Sequence, residues 1–304
     1  MRAPWARVAA GAILLLTVVL CLLTRWTGIA GSHPAYAWTL VVLAIVAAGL
    51  LVSTLLVHRR RAGWVWLVGR IATVVAAIAV AAILWWLRPF GATEIARAAT
   101  RSDAAVHVEV SSGRIRLEPT AHRRGTGLVF YPGARIDPRA YAHILRAVAV
   151  AGFPVVIVKP PYDLAFTARG AAADVADDEP GERWVVAGHS LGGVVAASAA
   201  GRTARLAGLV LWASYPTGDL SKRTLPAVSI WGTQDRFTTP ADIAHSKAEL
   251  PAGTTFVEVR GANHSAFANC GHLPGDGPLR VAQVAAQDEI TTATIAFLAR
   301  IDRG

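Results

Sequence analysis

No acidic residue occurs before Glu94, yet eight arginines (2, 7, 25, 59, 60, 61, 70 and 88) lie in the same stretch. Three apolar segments separate them: Val8 to Thr24, Ala35 to Val57 and Ile71 to Leu87. Each is about 17 to 23 residues long, the length a helix needs to cross a bilayer core. Seven of the ten tryptophans (5, 26, 38, 64, 66, 85 and 86) fall at or near segment ends, where an interfacial belt would place them. Arg70 is expected to snorkel from the inner end of the third segment. The Arg-rich loop His58 to Arg61, with Arg2 and Arg7, belongs on the cytoplasmic side. The expectation is a membrane-embedded N-terminal region, residues 1–90, in a multi-pass cell-membrane protein. Everything after Arg88 then lies on the extracytoplasmic side. If the first segment is instead a cleaved signal peptide, with Gly28 to Ala30 as a poor cleavage site, the C-terminal region still ends on that side.

The charge distribution excludes one partner class. Of 30 basic residues, eight precede residue 94, leaving 22 against all 20 acids, so +8 of the net +10 belongs to the N-terminal part. A nucleic-acid surface would gather basic residues on the folded domain. Here topology accounts for them, so no nucleic-acid partner is expected. Cys21 lies in an apolar segment and Cys270 in the distal domain, so no bridge between them is expected.

Residues 91–104 read as a linker with some helical character, and 105–304 as one α/β domain. Val106 to Val110 and Arg114 to Glu118 alternate apolar and polar residues around Ser111-Ser112-Gly113, a hairpin. Further strands are expected at Gly127 to Tyr131, Pro154 to Val158, Leu206 to Ala213, Ala227 to Trp231 and Thr255 to Val259. Helices are expected at Pro138 to Ala151, about Ala241 to Leu250 and about Val284 to Ile301. Continuous apolar strands separated by helices indicate a mostly parallel sheet covered on both faces. The acidic run Asp174, Asp177, Asp178 and Glu179 reads as a solvated loop.

The stretch Trp184 to Gly193, WVVAGHSLGG, carries the chemistry. An apolar strand enters Gly188-His189-Ser190-Leu191-Gly192, and a small-residue helix follows from Gly193 to Ala200. This is the strand, sharp turn and helix of a nucleophile elbow. The glycines avoid collisions of the turn with its neighbours, and Ser190 is raised at a helix N-terminus. Downstream, one strand leads into Gly232-Thr233-Gln234-Asp235 and the next into Gly261-Ala262-Asn263-His264. The order Ser190, Asp235, His264 suits acyl transfer. An imidazole takes the hydroxyl proton near neutral pH, and a carboxylate fixes the imidazole's tautomer. The oxyanion donors would be the Leu191 N–H and, from the loop Pro132-Gly133-Ala134, the Ala134 N–H. Asp219 is an alternative acid. His189 is expected to be a bystander, and His264, Cys270 and His272 lack a fourth ligand at a metal-site spacing.

These pieces resemble the α/β-hydrolase superfamily, and more narrowly its small lidless bacterial members. The matching stretches are FYPGARIDPRAY, VVIVKPPYDLAF, GHSLGG, IWGTQD and GANHSAF, followed by PGDG at Pro274 to Gly277. The resemblance covers about residues 100–304. It implies an α/β-hydrolase fold, the triad Ser190, Asp235 and His264, and no cofactor or metal. Many relatives carry His-Gly where this chain has Pro132-Gly133, so a histidine contact to the oxyanion loop is expected to be missing. Only about 10 residues (Ser214 to Thr224) separate the strands between which lids are usually inserted, so no cap is expected. The function implied is a membrane-anchored serine hydrolase acting on a small-molecule or lipid carboxylic ester. The alternatives are a serine acyltransferase with the same residues and a non-catalytic envelope binding protein.

Overall fold

The computed structural model describes residues 5–56 and 63–303. The Arg59 to Arg61 loop, Arg2 and Val57 lie outside the described residues. Two units separate. The first, Met1–Ala30 with Pro34–Pro89, contains α1 (Trp5–Gly31, all but its last residue), α2 (Ala35–Leu56) and α3 (Trp64–Trp86), and all three are long and apolar enough to cross a membrane. α1 and α3 overrun the expected segments because helix continues through the flanking tryptophans, and in α1 through Arg25, where the helix is interrupted at φ −140° and ψ 19°, whereas α2 matches its segment from Ala35 to Leu56. Arg70 falls in the second turn of α3 rather than before it. Inside this unit the buried Tyr36 hydroxyl donates to the Leu84 carbonyl at 2.7 Å, tying α2 to α3.

The second unit comprises Gly31–His33 and Phe90–Gly304. The stretch expected to be a linker is built into it. Phe90 bridges to Ile136, and α4 (Glu94–Ala98) buries Ala96 in the core alongside Ala92 and Ala99. The hairpin is β1 (Val106–Val110) against β2 (Arg114–Pro119), with Val110 opposite Ile115. Then follow β3 (Thr126–Tyr131), α5 (Ala142–Val150), β4 (Val155–Val158), α6 (Ala171–Asp178), β5 (Arg183–His189) and α7 (Leu191–Arg202). The chain closes with β6 (Leu206–Trp212), β7 (Ala227–Gly232), α8 (Pro240–Ser246), β8 (Thr255–Val259) and α9 (Gln283–Arg303). The eight strands form one sheet in the order β1-β2-β4-β3-β5-β6-β7-β8. Its hairpin edge is antiparallel and every pairing from β4 to β8 is parallel.

Alternation places successive side chains on opposite faces of the sheet, and here both faces are covered. Leu128, Phe130, Val185 and Ala187 join the cluster beneath α5 and α9. Val129, Tyr131, Trp184 and Val186 join the opposite cluster beneath α6 and α7. Phe130 is fully buried between Tyr141 and Trp212, with ring centroids 4.8 Å from each.

Two local expectations differ from the structure, one through a local cap and the other through long-range ion pairs. The helix expected from Pro138 opens instead as a 3₁₀ turn, Pro138–Tyr141, because the Asp137 carboxylate accepts the Arg139 N–H and tightens the first turn. The acidic run is helix α6, not a solvated loop. Glu179 at its end pairs with the Arg116 guanidinium of β2, and Asp177 pairs with Arg205 at 2.6 Å. Residues 213–226 between β6 and β7 hold no helix or strand, so no cap is inserted there.

Truncating Phe130 to alanine removes a ring from the tightest part of this core. A loss of about 3–5 kcal/mol of stability is expected, read by denaturant unfolding of the full chain in detergent. A loss near zero contradicts the packing described.

Candidate active site

β5 delivers the elbow. Ser190 sits between β5 and α7 with φ 53° and ψ −124°, a conformation costly for a residue with a side chain. The turn is held from two sides. Ser190 N–H donates to the Trp212 carbonyl at 3.0 Å, and the Ser214 hydroxyl donates to the Ser190 carbonyl at 2.7 Å. Close approach explains the glycines. A Cβ at Gly188 would overlap the Gly192 backbone, and one at Gly192 would overlap the carbonyls of Tyr131 and Pro132.

The turn after β7 and the turn after β8 bring the acid and the imidazole together. Asp235 and His264 are both buried, and Asp235 Oδ2 lies 2.7 Å from His264 Nδ1. The other carboxylate oxygen accepts the N–H groups of Phe237 and Thr238, each at 2.8 Å. A carboxylate with three donors is satisfied without water and fixes the tautomer of its imidazole. Asp219, the alternative acid, is exposed and accepts the Ser221 N–H instead. No hydrogen bond joins Ser190 Oγ to His264 Nε2 among the described residues. The His264 ring nonetheless lies against the elbow, its centroid 4.4 Å from that of His189. Nucleophile–base contacts of this kind commonly tighten only around substrate.

The oxyanion loop also takes a definite form. Gly133 N–H donates to the Tyr141 hydroxyl at 2.9 Å, and Arg135 N–H to the Asp163 carbonyl at 2.8 Å. Between them, the Ala134 N–H meets no acceptor among the described residues. Leu191 begins α7, where an N–H has no intrahelical partner.

Three residues carry more of the site than their sequence context indicated. Asp276, in the PGDG turn, is buried and accepts from the Ser265 N–H at 2.7 Å, the Ser265 hydroxyl at 2.6 Å, the Gly277 N–H at 2.7 Å and the His264 N–H at 3.3 Å. It pins the turn that carries the imidazole. Phe237 stands 46% exposed with its ring edge-on to His264, 5.2 Å away. His189 is fully buried in the elbow. Its Nδ1 lies 2.8 Å from the Tyr141 hydroxyl, so a histidine does reach the oxyanion loop, from the elbow and through a tyrosine. The PGDG turn was the one visible signal for Asp276, and nothing local marks the other two.

A parallel sheet with one antiparallel edge, a strained serine at the strand-to-helix turn and a buried Asp–His pair beside it define a hydrolase-type α/β protein. The description of the alpha/beta hydrolase family matches residues 127–288, more than half of the chain, and the chain belongs to that family. It is similar to the crystal structure of a predicted CIB-like hydrolase from Thermoplasma acidophilum. The identity is 16%, the alignment covers 64% of this chain and 99% of that one, and the TM-score is 0.49. None of the curated proteins matches the chain.

Burial, and then the neighbouring His264, push the His189 imidazole well below its ordinary range, so the folded domain holds it neutral. The unfolded chain titrates this ring near 6.5. Below that pH the unfolded state binds the extra proton, so stability falls as pH falls. His189→Asn is expected to flatten this acid limb of the thermal midpoint between about pH 7 and pH 5. Identical limbs in wild type and variant would contradict a neutral buried His189.

Proposed function

We propose that this chain is a membrane-anchored serine hydrolase that cleaves carboxylic esters by an acyl-enzyme mechanism. The observation that carries the proposal is the strained Ser190 at the head of α7, with the buried Asp235–His264 pair closing over the same turn. Ser190 Oγ attacks the ester carbonyl carbon while His264 Nε2 takes the hydroxyl proton. The carbonyl electron pair moves onto oxygen, where the Leu191 and Ala134 N–H groups receive it. Collapse breaks the bond to the alcohol oxygen, which leaves with the proton from Nε2. Water then attacks the acyl group through the same base and frees Ser190. Asp235 stays ionised throughout and stabilises the imidazolium.

Two features favour an ester with an apolar part. The exposed Phe237 ring beside His264 offers a surface for an acyl or alcohol chain, and the missing cap leaves that surface open. Tethering favours lipid or envelope-linked substrates. The arginines at 59–61 favour the cytoplasmic face for their segment, and on this reading the third crossing carries the hydrolase domain to the outside.

A fluorophosphonate probe is expected to label the detergent-solubilised chain and to leave Ser190→Ala unlabelled. Asp235→Asn should fold and lose about 10⁴-fold in kcat on p-nitrophenyl esters. A chain-length panel of such esters defines the preferred acyl group, and added alcohols that yield product esters would indicate acyl transfer instead. Undiminished labelling of Ser190→Ala would remove the mechanism.

A further inference from the structure

Tyr141 and His189 are both fully buried, and they form a short relay beneath the oxyanion loop. A phenolic hydroxyl has one proton to give and can accept at its oxygen. Gly133 N–H already donates into that oxygen at 2.9 Å. The Tyr141 hydroxyl also shares a hydrogen bond with His189 Nδ1, 2.8 Å away, while His189 Nε2 is buried with no hydrogen-bond partner among the described residues. Burial raises the Tyr141 hydroxyl well above its ordinary range, so it remains a donor.

The fit around this relay leaves little slack. A Cβ at Gly133 would stand 2.9 Å from His189 Nδ1 and 3.1 Å from the Tyr141 oxygen. The loop's far side is fixed by Asp163, whose carbonyl takes the Arg135 N–H. Asp163 and Tyr162 hold φ of 53° and 57°, so that anchor is itself a strained turn. Only the Ala134 N–H between the two anchors is left to face a ligand. On its other side the His189 ring stacks on Phe267, 5.8 Å away and 8° from parallel, and lies 4.4 Å from the His264 ring. His189 thus touches the oxyanion loop through Tyr141, the nucleophile through the peptide bond to Ser190, and the base through ring contact.

We propose that His189 and Tyr141 act as one positioning unit, which sets the Ala134 N–H against the Ser190 hydroxyl. Neither residue touches the reacting atoms. The inference rests on the serine-hydrolase reading given above. It extends that reading to two residues whose only other role would be packing.

The test uses the full chain in detergent, with fluorophosphonate labelling rates and p-nitrophenyl ester kinetics. Tyr141→Phe removes one oxygen and keeps the ring, so it is the deciding variant. Tyr141→Phe and His189→Leu are each expected to slow labelling and lower kcat about tenfold, with KM within about twofold, since loss of positioning acts on the transition state. The double variant should be no slower than the slower single one, because the two residues share one path. His189→Asn places an amide oxygen near the former Nδ1 and should recover most of what His189→Leu loses. A merely structural role would lower the melting temperature and leave kcat in the folded fraction unchanged. That result, or losses that multiply in the double variant, overturns the proposal. A wild-type chain that takes no label removes the serine-hydrolase reading and this inference with it. A labelled wild type matched in rate by Tyr141→Phe removes this inference alone.

Discussion

The backbone of Ser190 is held at φ 53° and ψ −124°, outside the wells ordinarily open to a residue with a side chain, because the surrounding chain leaves it no other position. Gly188, Gly192 and Gly193 let β5, the Tyr131–Pro132 backbone and Ser214 meet at distances a side chain would forbid. The Trp212 carbonyl and the Ser214 hydroxyl then lock the turn from the neighbouring strand. Strain of this kind costs on the order of 1–3 kcal/mol and persists only where the surroundings over-determine it. Those surroundings are the two covered faces of the sheet. Phe130 packs between Tyr141 and Trp212, and Tyr141 and Trp212 in turn reach His189 and the Ser190 N–H, so the aromatic core and the strained serine share one wall.

The same economy governs the electrostatics. A buried carboxylate is costly unless its lone pairs are used. Asp235 spends two on backbone N–H groups and one on His264, and all three donors come from turns at the carboxyl ends of adjacent strands. Asp276 repeats the pattern one layer out. It accepts four hydrogen bonds around the His264 turn, so the imidazole is fixed both through its ring and through its backbone.

What was legible in the sequence follows from how local each cause is. The elbow, the strands and the order Ser190, Asp235, His264 are written in contiguous stretches, because a sharp turn needs small residues at set offsets and a buried parallel strand needs an apolar run. The acidic stretch ending at Glu179 was misread, since its helix is held by arginines at 116 and 205, which sequence proximity does not reveal. Residues 91–104 looked like a tether because alanines carry little hydrophobic signal, although Ala92, Ala96 and Ala99 are buried in the domain core. His189 looked inert for a related reason. Its importance lies in two ring contacts and a tyrosine 48 residues away, and no local pattern encodes those.

The closeness of His189 and His264 also limits how the site can work. At the ring separation of 4.4 Å, two imidazolium charges would repel by about 4 kcal/mol at an effective dielectric near 20. In the proposed mechanism a protonated His189 would therefore oppose the imidazolium that His264 becomes on accepting the serine proton. The protein counters this by enclosing His189 completely, and burial disfavours the charged ring. The hydroxyl beside its Nδ1 belongs to the same tyrosine that accepts the Gly133 N–H. In the proposed reaction, one phenol thus stands both beside the ring next to the base and beneath the loop that would face the oxyanion.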